Sequence, residues 1–233
     1  MTKLVLLPGM MCDGRLFEPQ IKGLSNQCDV DVLPITEFES IAQIADDVLL
    51  KAPAKFSLAG LSMGGIVAME IMAKAPDRVE RLALLDTNPL AEDPAKSNNR
   101  LRQIERVLDG ELLSVMRDEM KPLYLTDGAN RKAHLALCMD MALTLGPEVF
   151  VRQSKALMSR LDQRATLSAI HVPTLVLCGC DDTLCPVERH ELMHELIADS
   201  TLSIISNAGH LPTIENPIET NRQMAQWLNT ELN

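Results

Sequence analysis

Short apolar runs alternate with amphipathic stretches along residues 1–90 and 171–233. Six runs are short, rich in apolar residues and bounded by Gly, Pro or polar residues, which predicts strands. They are KLVLLPG (3–9), CDVDVLPI (28–35), KFSLAGLS (55–62), RVERLALLDT (78–87), VPTLVLCG (172–179) and STLSIIS (200–206). The first is almost continuous in apolar residues, which is typical of a parallel strand buried on both faces.

Between these runs, apolar residues recur at helical spacing. The period predicts helices in SIAQIADDVLL (40–50), MGGIVAMEIMAKAP (63–76), PVERHELMHELI (186–197) and NPIETNRQMAQWLNTEL (216–232). A loop is expected between the first two strands. The alternation of strands and helices predicts an α/β fold, a mostly parallel sheet flanked by helices.

Residues 91–170 differ from the rest of the chain because strand-like runs disappear. Helical spacing is found in NNRLRQIERVLDGELLSVM, RKAHLALCMDMAL and PEVFVRQSKALMSRL, and Gly146-Pro147 separates the last two. We therefore predict an all-helical insertion of roughly four helices at 91–170. It divides a core domain made of residues 1–90 and 171–233.

The formal net charge of −10, without any run of Lys or Arg, limits the partners. Nucleic acid and anionic membranes attract basic surfaces, so neither is expected as a partner. The N-terminal apolar run is too short for a signal peptide, and no stretch reaches roughly 18 apolar residues, so we expect a cytoplasmic protein. The six Cys residues are then expected to be reduced.

The segment HELMH (190–194) matches the H-E-x-x-H pattern of zinc metalloproteases. On a helical wheel the apolar stripe passes through Leu192, which leaves His190 and His194 on the polar flank as a solvent-facing pair. Ile197 replaces the Gly of the longer metzincin pattern. We therefore expect a surface helix and no metal, with a zinc protease as the alternative.

The segment GLSMG (60–64) fits the G-x-S-x-G pattern, with a predicted strand before it and a predicted helix after it. A serine on a sharp strand-to-helix turn needs small residues two positions away on each side, so that strand and helix can approach. The turn strains the Ser62 backbone, and the helix N-terminus stabilises developing negative charge. The pattern predicts a nucleophile, and a Gly-rich turn without chemistry is the alternative.

A serine nucleophile needs a base, and the base needs a group that orients it. Asp181 and Asp182 directly follow a buried strand, at the sheet edge where parallel sheets perform chemistry. His210 lies on the loop after the last strand. The order Ser62, Asp182, His210 matches that of the α/β-hydrolases. Asp181 and Asp86, which ends an earlier strand, are the rival acids.

These segments resemble the α/β-hydrolase superfamily over nearly the whole chain. GLSMGG is similar to the nucleophile elbow, GCDDTLCP to the acid loop G-x-x-D-x-x-x-P, and NAGHLPTIENP to the loop that carries the base. The resemblance implies that Asp182, four residues before Pro186, is the acid rather than Asp181, and that His210 is the base. It also implies that the helical insertion is a cap placed after the sixth strand of the family.

The segment LLPGMMCDGRLFEPQ is similar to the family's oxyanion loop, although Pro8 replaces the usual His. The resemblance implies that the backbone N–H groups of Met10 and Met63 bind the oxyanion. Leu61 stands where a His often precedes the nucleophile. Neither departure removes a reacting group.

The resemblance therefore implies a serine hydrolase that cleaves a small-molecule carboxylic ester, thioester or lactone through an acyl-enzyme, without metal or organic cofactor. Amide hydrolysis stays open, and a lyase of the same fold, such as a cyanohydrin-cleaving enzyme, is an alternative. Five Met residues of the insertion predict an apolar, adaptable pocket for a small acyl substrate; they are Met116, Met120, Met139, Met141 and Met158.

Overall fold

The computed structural model describes residues 2–232, in which six parallel strands form one sheet in the order β2-β1-β3-β4-β5-β6. The strands are β1 (Thr2–Leu7), β2 (Cys28–Val32), β3 (Phe56–Leu61), β4 (Val79–Leu85), β5 (Thr174–Gly179) and β6 (Ser200–Ile205). All six predicted strands are confirmed. The strand order reverses between β1 and β3, and such a reversal opens a crevice at the carboxyl ends of the strands.

Both faces of the sheet are covered at its central strands, β1, β3, β4 and β5, which are almost entirely buried and rich in apolar residues, whereas the edge strands β2 and β6 are partly exposed. Val5 and Leu7 of β1 belong to one buried cluster, and Leu4 and Leu6 belong to the other. Burying one such side chain contributes roughly 1.5–3 kcal/mol. A one-residue slip would exchange the two faces, so the paired clusters fix the register of the strands.

The helices of the core domain supply the outer layers. On the face of Val5 lie α2 (Ile41–Lys51), α3 (Met63–Lys74) and α8 (Val187–Leu196). On the face of Leu4 lie α1 (Glu18–Leu24), α9 (Pro212–Glu215) and α10 (Pro217–Leu228). The result is a three-layer α/β/α arrangement.

The helical insertion lies between β4 and β5, as predicted. It contains α4 (Pro94–Leu108), α5 (Leu112–Ser114), a π-helical turn (Val115–Met120), a 3-10 turn (Lys121–Leu123), α6 (Arg131–Met158) and α7 (Arg164–Ser168). Gly146 interrupts α6 with a φ of 81°, which confirms the predicted break at Gly146-Pro147.

By length and composition, α6 is the one helix within residues 2–232 that could cross a membrane. The break at Gly146 divides it into two halves, each shorter than the roughly 20 residues that a bilayer requires. Both halves pack inward, through Met141 in the first and Phe150 in the second. Packing within the protein therefore buries part of its apolar surface.

One local prediction is wrong. The predicted loop between β1 and β2 contains a 3-10 turn (Gly14–Phe17) and α1. Only Gln20 and Leu24 of α1 are buried, too few to show a helical period in the sequence.

Candidate active site

Ser62 occupies the turn between β3 and α3 with a φ of 55° and a ψ of −113°, a region that is strained for any residue but Gly. Hydrogen bonds from the end of β4 hold this turn. Ser62 N–H donates to the Leu85 carbonyl oxygen at 2.9 Å, and Thr87 Oγ1 donates to the Ser62 carbonyl oxygen at 2.8 Å. The predicted strain at Ser62 is confirmed.

The glycines around Ser62 are required by close approach of backbone atoms. A Cβ atom on Gly60 would lie 2.2 Å from the carbonyl oxygen of Gly64, and one on Gly64 would lie 2.1 Å from that of Leu7. Both distances are far below van der Waals contact, so neither position accepts a larger residue without a backbone shift. The need for small residues on both sides of the serine is confirmed.

Ser62, His210 and Asp182 form a continuous hydrogen-bonded chain. His210 Nε2 lies 2.8 Å from Ser62 Oγ, and His210 Nδ1 lies 2.8 Å from Asp182 Oδ2. Asp182 Oδ1 accepts from the N–H groups of Leu184 at 2.8 Å and Cys185 at 3.1 Å. Burial opposes ionisation of Asp182, but the charge of His210 and these hydrogen bonds lower its pKa below the usual value. The acid is therefore ionised at neutral pH.

The two rival acids lie elsewhere. Asp181 is exposed and makes no hydrogen bond to His210 among the residues described. Asp86 is fully buried at the end of β4 with a φ of 44°, and its Oδ1 accepts from Gly179 N–H at 2.9 Å. Burial and the negative charge of Asp182 raise the pKa of Asp86 well above its usual value. The geometry places Asp182 alone beside His210.

The loop that carries His210 is fixed by Glu215 of α9. Glu215 Oε2 accepts from Gly209 N–H at 2.9 Å and from Leu211 N–H at 3.2 Å, on either side of His210. Glu215 Oε1 accepts from Thr126 N–H of the insertion at 2.7 Å. This function of Glu215 was not predicted from the sequence. The one indication there is that Glu215 is an acidic residue in the mostly apolar stretch that follows His210.

Met10 and Met63 line the same cavity as Ser62. Met63 is the first residue of α3, where the amide has no acceptor within the helix. Neither the Met10 nor the Met63 backbone N–H donates to another group within residues 2–232. Two amide donors thus stand beside the serine and are available to a ligand oxygen.

A glutamine from the insertion supports the loop after β1. Met11 has a φ of 54°, and its N–H donates to Gln153 Oε1 at 2.8 Å. Gln153 Nε2 donates in turn to the Ile35 carbonyl oxygen at 3.1 Å, and the glutamine is fully buried. Sequence reasoning missed Gln153 as well; the only signal is a polar residue within the apolar stripe of α6.

A cavity of about 390 Å³ lies between the core domain and the insertion, with Ser62 and His210 in its wall. This volume is near the lower end of the range for small-molecule sites, about 300–1,000 Å³. The insertion contributes polar side chains to the wall, among them Lys96, Arg100, Gln103, Glu119 and Arg160.

The predicted apolar lining of the pocket is confirmed by side chains such as Ile66, Leu157 and Leu184, but the prediction that Met residues of the insertion supply it is wrong for most of them. Of the five Met residues on which it rests, only Met120 lines the cavity. Met116 and Met141 are fully buried in the hydrophobic clusters, and Met139 and Met158 pack against one of them. These side chains pack the helices of the insertion against one another and against the core, so they do not reach the cavity.

The prediction of a solvent-facing histidine pair in HELMH is wrong for His190. His190 is fully buried, its Nε2 accepts from Thr87 N–H at 3.1 Å, and its Nδ1 lies 3.3 Å from the Pro186 carbonyl oxygen. Burial lowers its pKa to about 4. His194 is exposed, with Nδ1 2.8 Å from Ser200 Oγ. A helical wheel shows the apolar stripe of one helix but not the segments that pack on its other faces. Here Thr87, just after β4, covers the polar flank of α8 at His190.

One group of residues within 2–232 brings three possible metal ligands together: Asp182, Cys185 and His210, with ligand atoms within 4.8 Å of one another. Both Asp182 oxygens and His210 Nδ1 are already engaged in hydrogen bonds. Burial raises the pKa of Cys185, which keeps it a thiol rather than the thiolate that binds metals. The donor set fits a hydrogen-bonded relay better than a metal site.

The fold is that of the α/β hydrolases. A sequence model of the alpha/beta hydrolase family matches residues 4–223, and the chain belongs to that family. The resemblance and the fold class expected from the sequence are confirmed. Together with the similarities given next, membership makes the chain an esterase-like hydrolase.

Three similar proteins illustrate the relationship. A protein of Yersinia enterocolitica, provisionally named carbamate hydrolase RutD, is 25% identical over 96% of this chain and 86% of its own length. A pimeloyl-[acyl-carrier protein] methyl ester esterase of Pectobacterium carotovorum is 26% identical over 93% of this chain and 90% of its own. A thermophilic esterase of Thermogutta terrifontis, solved with malate bound, superposes with a TM-score of 0.89 at 28% identity, covering 98% of this chain and 89% of that one.

Proposed function

We propose that this chain is a serine hydrolase that cleaves small carboxylic esters through an acyl-enzyme. The observation that carries the proposal is the hydrogen-bonded chain from Ser62 Oγ through His210 to Asp182, whose first two members lie in the wall of a cavity. This is the arrangement that activates a serine hydroxyl. The esterases among its relatives support an ester substrate, and thioesters and lactones are open to the same attack.

In the first half of the reaction, Ser62 Oγ attacks the ester carbonyl carbon while His210 Nε2 accepts the hydroxyl proton. His210 then gives this proton to the departing alkoxide, which leaves as the alcohol. In the second half, His210 takes a proton from water as the hydroxide attacks the acyl-enzyme, and returns it to Ser62 as the acid departs. Asp182, ionised and 2.8 Å from Nδ1, holds the tautomer and stabilises the imidazolium.

The backbone N–H groups of Met10 and Met63 are the proposed oxyanion donors. Each lines the same cavity as Ser62 and has no competing acceptor within the described chain. A donor of this kind stabilises the transition state by roughly 3 kcal/mol. The hydrogen bond from Met11 to Gln153 holds the loop in place and so preorganises the Met10 amide.

The helical insertion (91–170) acts in this proposal as a cap over the core domain (1–90 and 171–233). Tyr124 of the insertion packs edge-on against the His210 ring, with centroids 5.4 Å apart, and its carbonyl oxygen accepts from His210 N–H at 3.0 Å. The cap thereby shields the base from water and helps position it. The protein groups alone complete the chemistry, so no cofactor is required.

The first test is hydrolysis of p-nitrophenyl esters of graded acyl length, with Ser62→Ala beside the wild type and a parallel sample containing EDTA. We expect Ser62→Ala to lower kcat by roughly 10⁴–10⁶-fold and EDTA to have no effect. The chain-length optimum will report the size of the pocket.

The matched control is Ser206→Ala, which removes an exposed hydroxyl outside the cavity and should retain full activity. Full activity in Ser62→Ala would overturn the serine mechanism, and loss of activity with EDTA would point to a metal instead. Cleavage of cyanohydrins without turnover of any ester would identify a lyase.

A further inference from the structure

The cavity beside Ser62 is rich in positive charge, although the whole chain carries a net charge of −10. Lys96, Arg100 and Arg160 all line it. Arg100 Nε lies 2.7 Å from Glu92 Oε1, and Arg160 Nη2 lies 2.8 Å from Glu92 Oε2. A single carboxylate therefore serves both guanidinium groups, and Lys96 forms no ion pair with any described residue.

The other acidic residue of the cavity wall does not cancel this excess. Glu119 forms salt bridges with Arg102 at 3.1 Å and with Arg106, and it accepts from Gln103 Nε2 at 3.0 Å. Its charge is thus neutralised by Arg102 and Arg106, which are not among the residues that line the cavity. The net charge facing the cavity remains positive.

Arg160 is the buried member of this group. Only 9% of the residue is exposed, and its buried Nε has no hydrogen-bond partner within residues 2–232. A buried donor without an acceptor is costly, and a cationic one more so. Burial lowers the pKa of Arg160, and the neighbouring charge of Arg100 acts in the same direction. An anion in the cavity would accept a hydrogen bond from Arg160 Nε and would stabilise the charged form of the guanidinium group.

Arg100 places the charge close to the reacting centre. Its Nη1 lies 3.7 Å from the sulfur of Met10, whose amide is a proposed oxyanion donor. Lys96 is four residues earlier in α4, one turn away on the same helix face. The three cations therefore surround one region of the cavity beside Ser62.

We propose that Lys96, Arg100 and Arg160 form a carboxylate subsite, so that the substrate is a small ester that carries a second, free carboxylate. Guanidinium groups bind planar carboxylates through paired N–H donors, which suits this ligand. The limited cavity volume favours a short half-ester of a dicarboxylic acid or a comparable acid. This inference rests on the proposed esterase function, and the experiment separates the two.

The catalytic test compares substrates that differ only in charge. Monomethyl glutarate is paired with its neutral amide analogue, methyl 5-amino-5-oxopentanoate, and carboxymethyl butyrate is paired with carbamoylmethyl butyrate. The first pair carries the charge on the acyl part and the second on the alcohol part. At low salt we expect kcat/KM to favour the acid of at least one pair by roughly tenfold, and the preference to shrink in 0.5 M NaCl, because salt screens the exposed Lys96.

We choose Lys96 for substitution because its side chain is exposed. Substitution of Arg160 would remove one of the two partners of the buried Glu92 carboxylate and so destabilise the fold. Lys96→Glu should lower the acid-to-amide ratio of kcat/KM by about tenfold or more. Lys132→Glu, the same charge change on an exposed lysine of α6 outside the cavity, should keep the wild-type ratio.

Binding is measured separately, by titrating glutarate and glutaramide into Ser62→Ala and into Ser62→Ala/Lys96→Glu. We expect glutarate alone to bind, and the Lys96 change to weaken it about tenfold. Ser62-dependent ester turnover with an acid-to-amide ratio near one and no glutarate binding would overturn the subsite and leave the esterase proposal standing. Glutarate binding that depends on Lys96, without turnover of any ester, would support the subsite and contradict the esterase proposal.

Discussion

Single residues in this molecule act through partners that are distant in the sequence. Ser62 reaches His210 across 148 positions and His210 reaches Asp182 across 28, yet all three are predicted from local patterns, because the chemistry demands these residue types on particular turns. His190 binds Thr87 across 103 positions, and no local pattern marks it.

The first prediction at this scale concerns pH and His190. Its folded-state pKa of about 4 lies below the ordinary 6.5, so the unfolded chain binds the proton more readily between these values. Stability should therefore fall as the pH decreases through this window, by about 2 kcal/mol between pH 7.5 and 5. His190→Gln keeps an amide oxygen that can accept from Thr87 N–H but has no group that titrates in this range. Its free energy of unfolding should therefore fall by about 2 kcal/mol less than that of the wild type. Urea unfolding at both pH values measures the difference.

His194→Gln serves as the control, because this side chain is exposed on the same helix. Its pH dependence of unfolding should match the wild type. An unchanged pH dependence in His190→Gln would show that the buried histidine does not contribute to acid sensitivity.

At the scale of elements, the strand–turn–helix unit around Ser62 depends on backbone atoms that nearly touch. β3 approaches α3 so closely at Gly60, and α3 approaches the end of β1 so closely at Gly64, that a single methyl group has no room. The strained φ of Ser62 is a consequence of that approach, held by hydrogen bonds from the end of β4. The unit tolerates little change for this reason.

Gly60→Ala should therefore both destabilise the fold, by roughly 3 kcal/mol, and reduce ester hydrolysis, because the turn must shift to admit the new Cβ atom. Thermal unfolding and kcat are the measurements. Gly128→Ala is the matched control, since a Cβ there meets no atom within 4 Å. Wild-type stability and activity in Gly60→Ala would contradict the close-packing argument.

At the scale of the whole molecule, the helical insertion and the core domain are tied together around the site. Gln153 of α6 bonds the loop after β1, Thr126 bonds Glu215 beside the base, and Tyr124 bonds the His210 backbone. The insertion is thus part of the scaffold that positions Ser62 and its partners, in addition to forming the cavity wall.

Gln153→Leu tests this coupling. It leaves the buried Met11 N–H without an acceptor, which should lower the unfolding free energy by about 1–3 kcal/mol. Because the loop also carries the proposed oxyanion donor of Met10, we expect kcat to fall by roughly tenfold with little change in KM. Gln226→Leu, at an exposed site on α10, should change neither quantity. A loss of stability without a loss of kcat would restrict Gln153 to a structural function.

The sequence by itself determined the six strands, the helical character of the chain between β4 and β5, and the choice of Ser62, Asp182 and His210 as candidate site residues. Each of these depends on periodicity or on spacing along a single turn, and such information is local. Only the tertiary structure decided the burial of His190, the functions of Gln153 and Glu215, and the basic character of the cavity. These depend on which faces of separate elements meet, and that is settled by long-range packing, which no periodic pattern records.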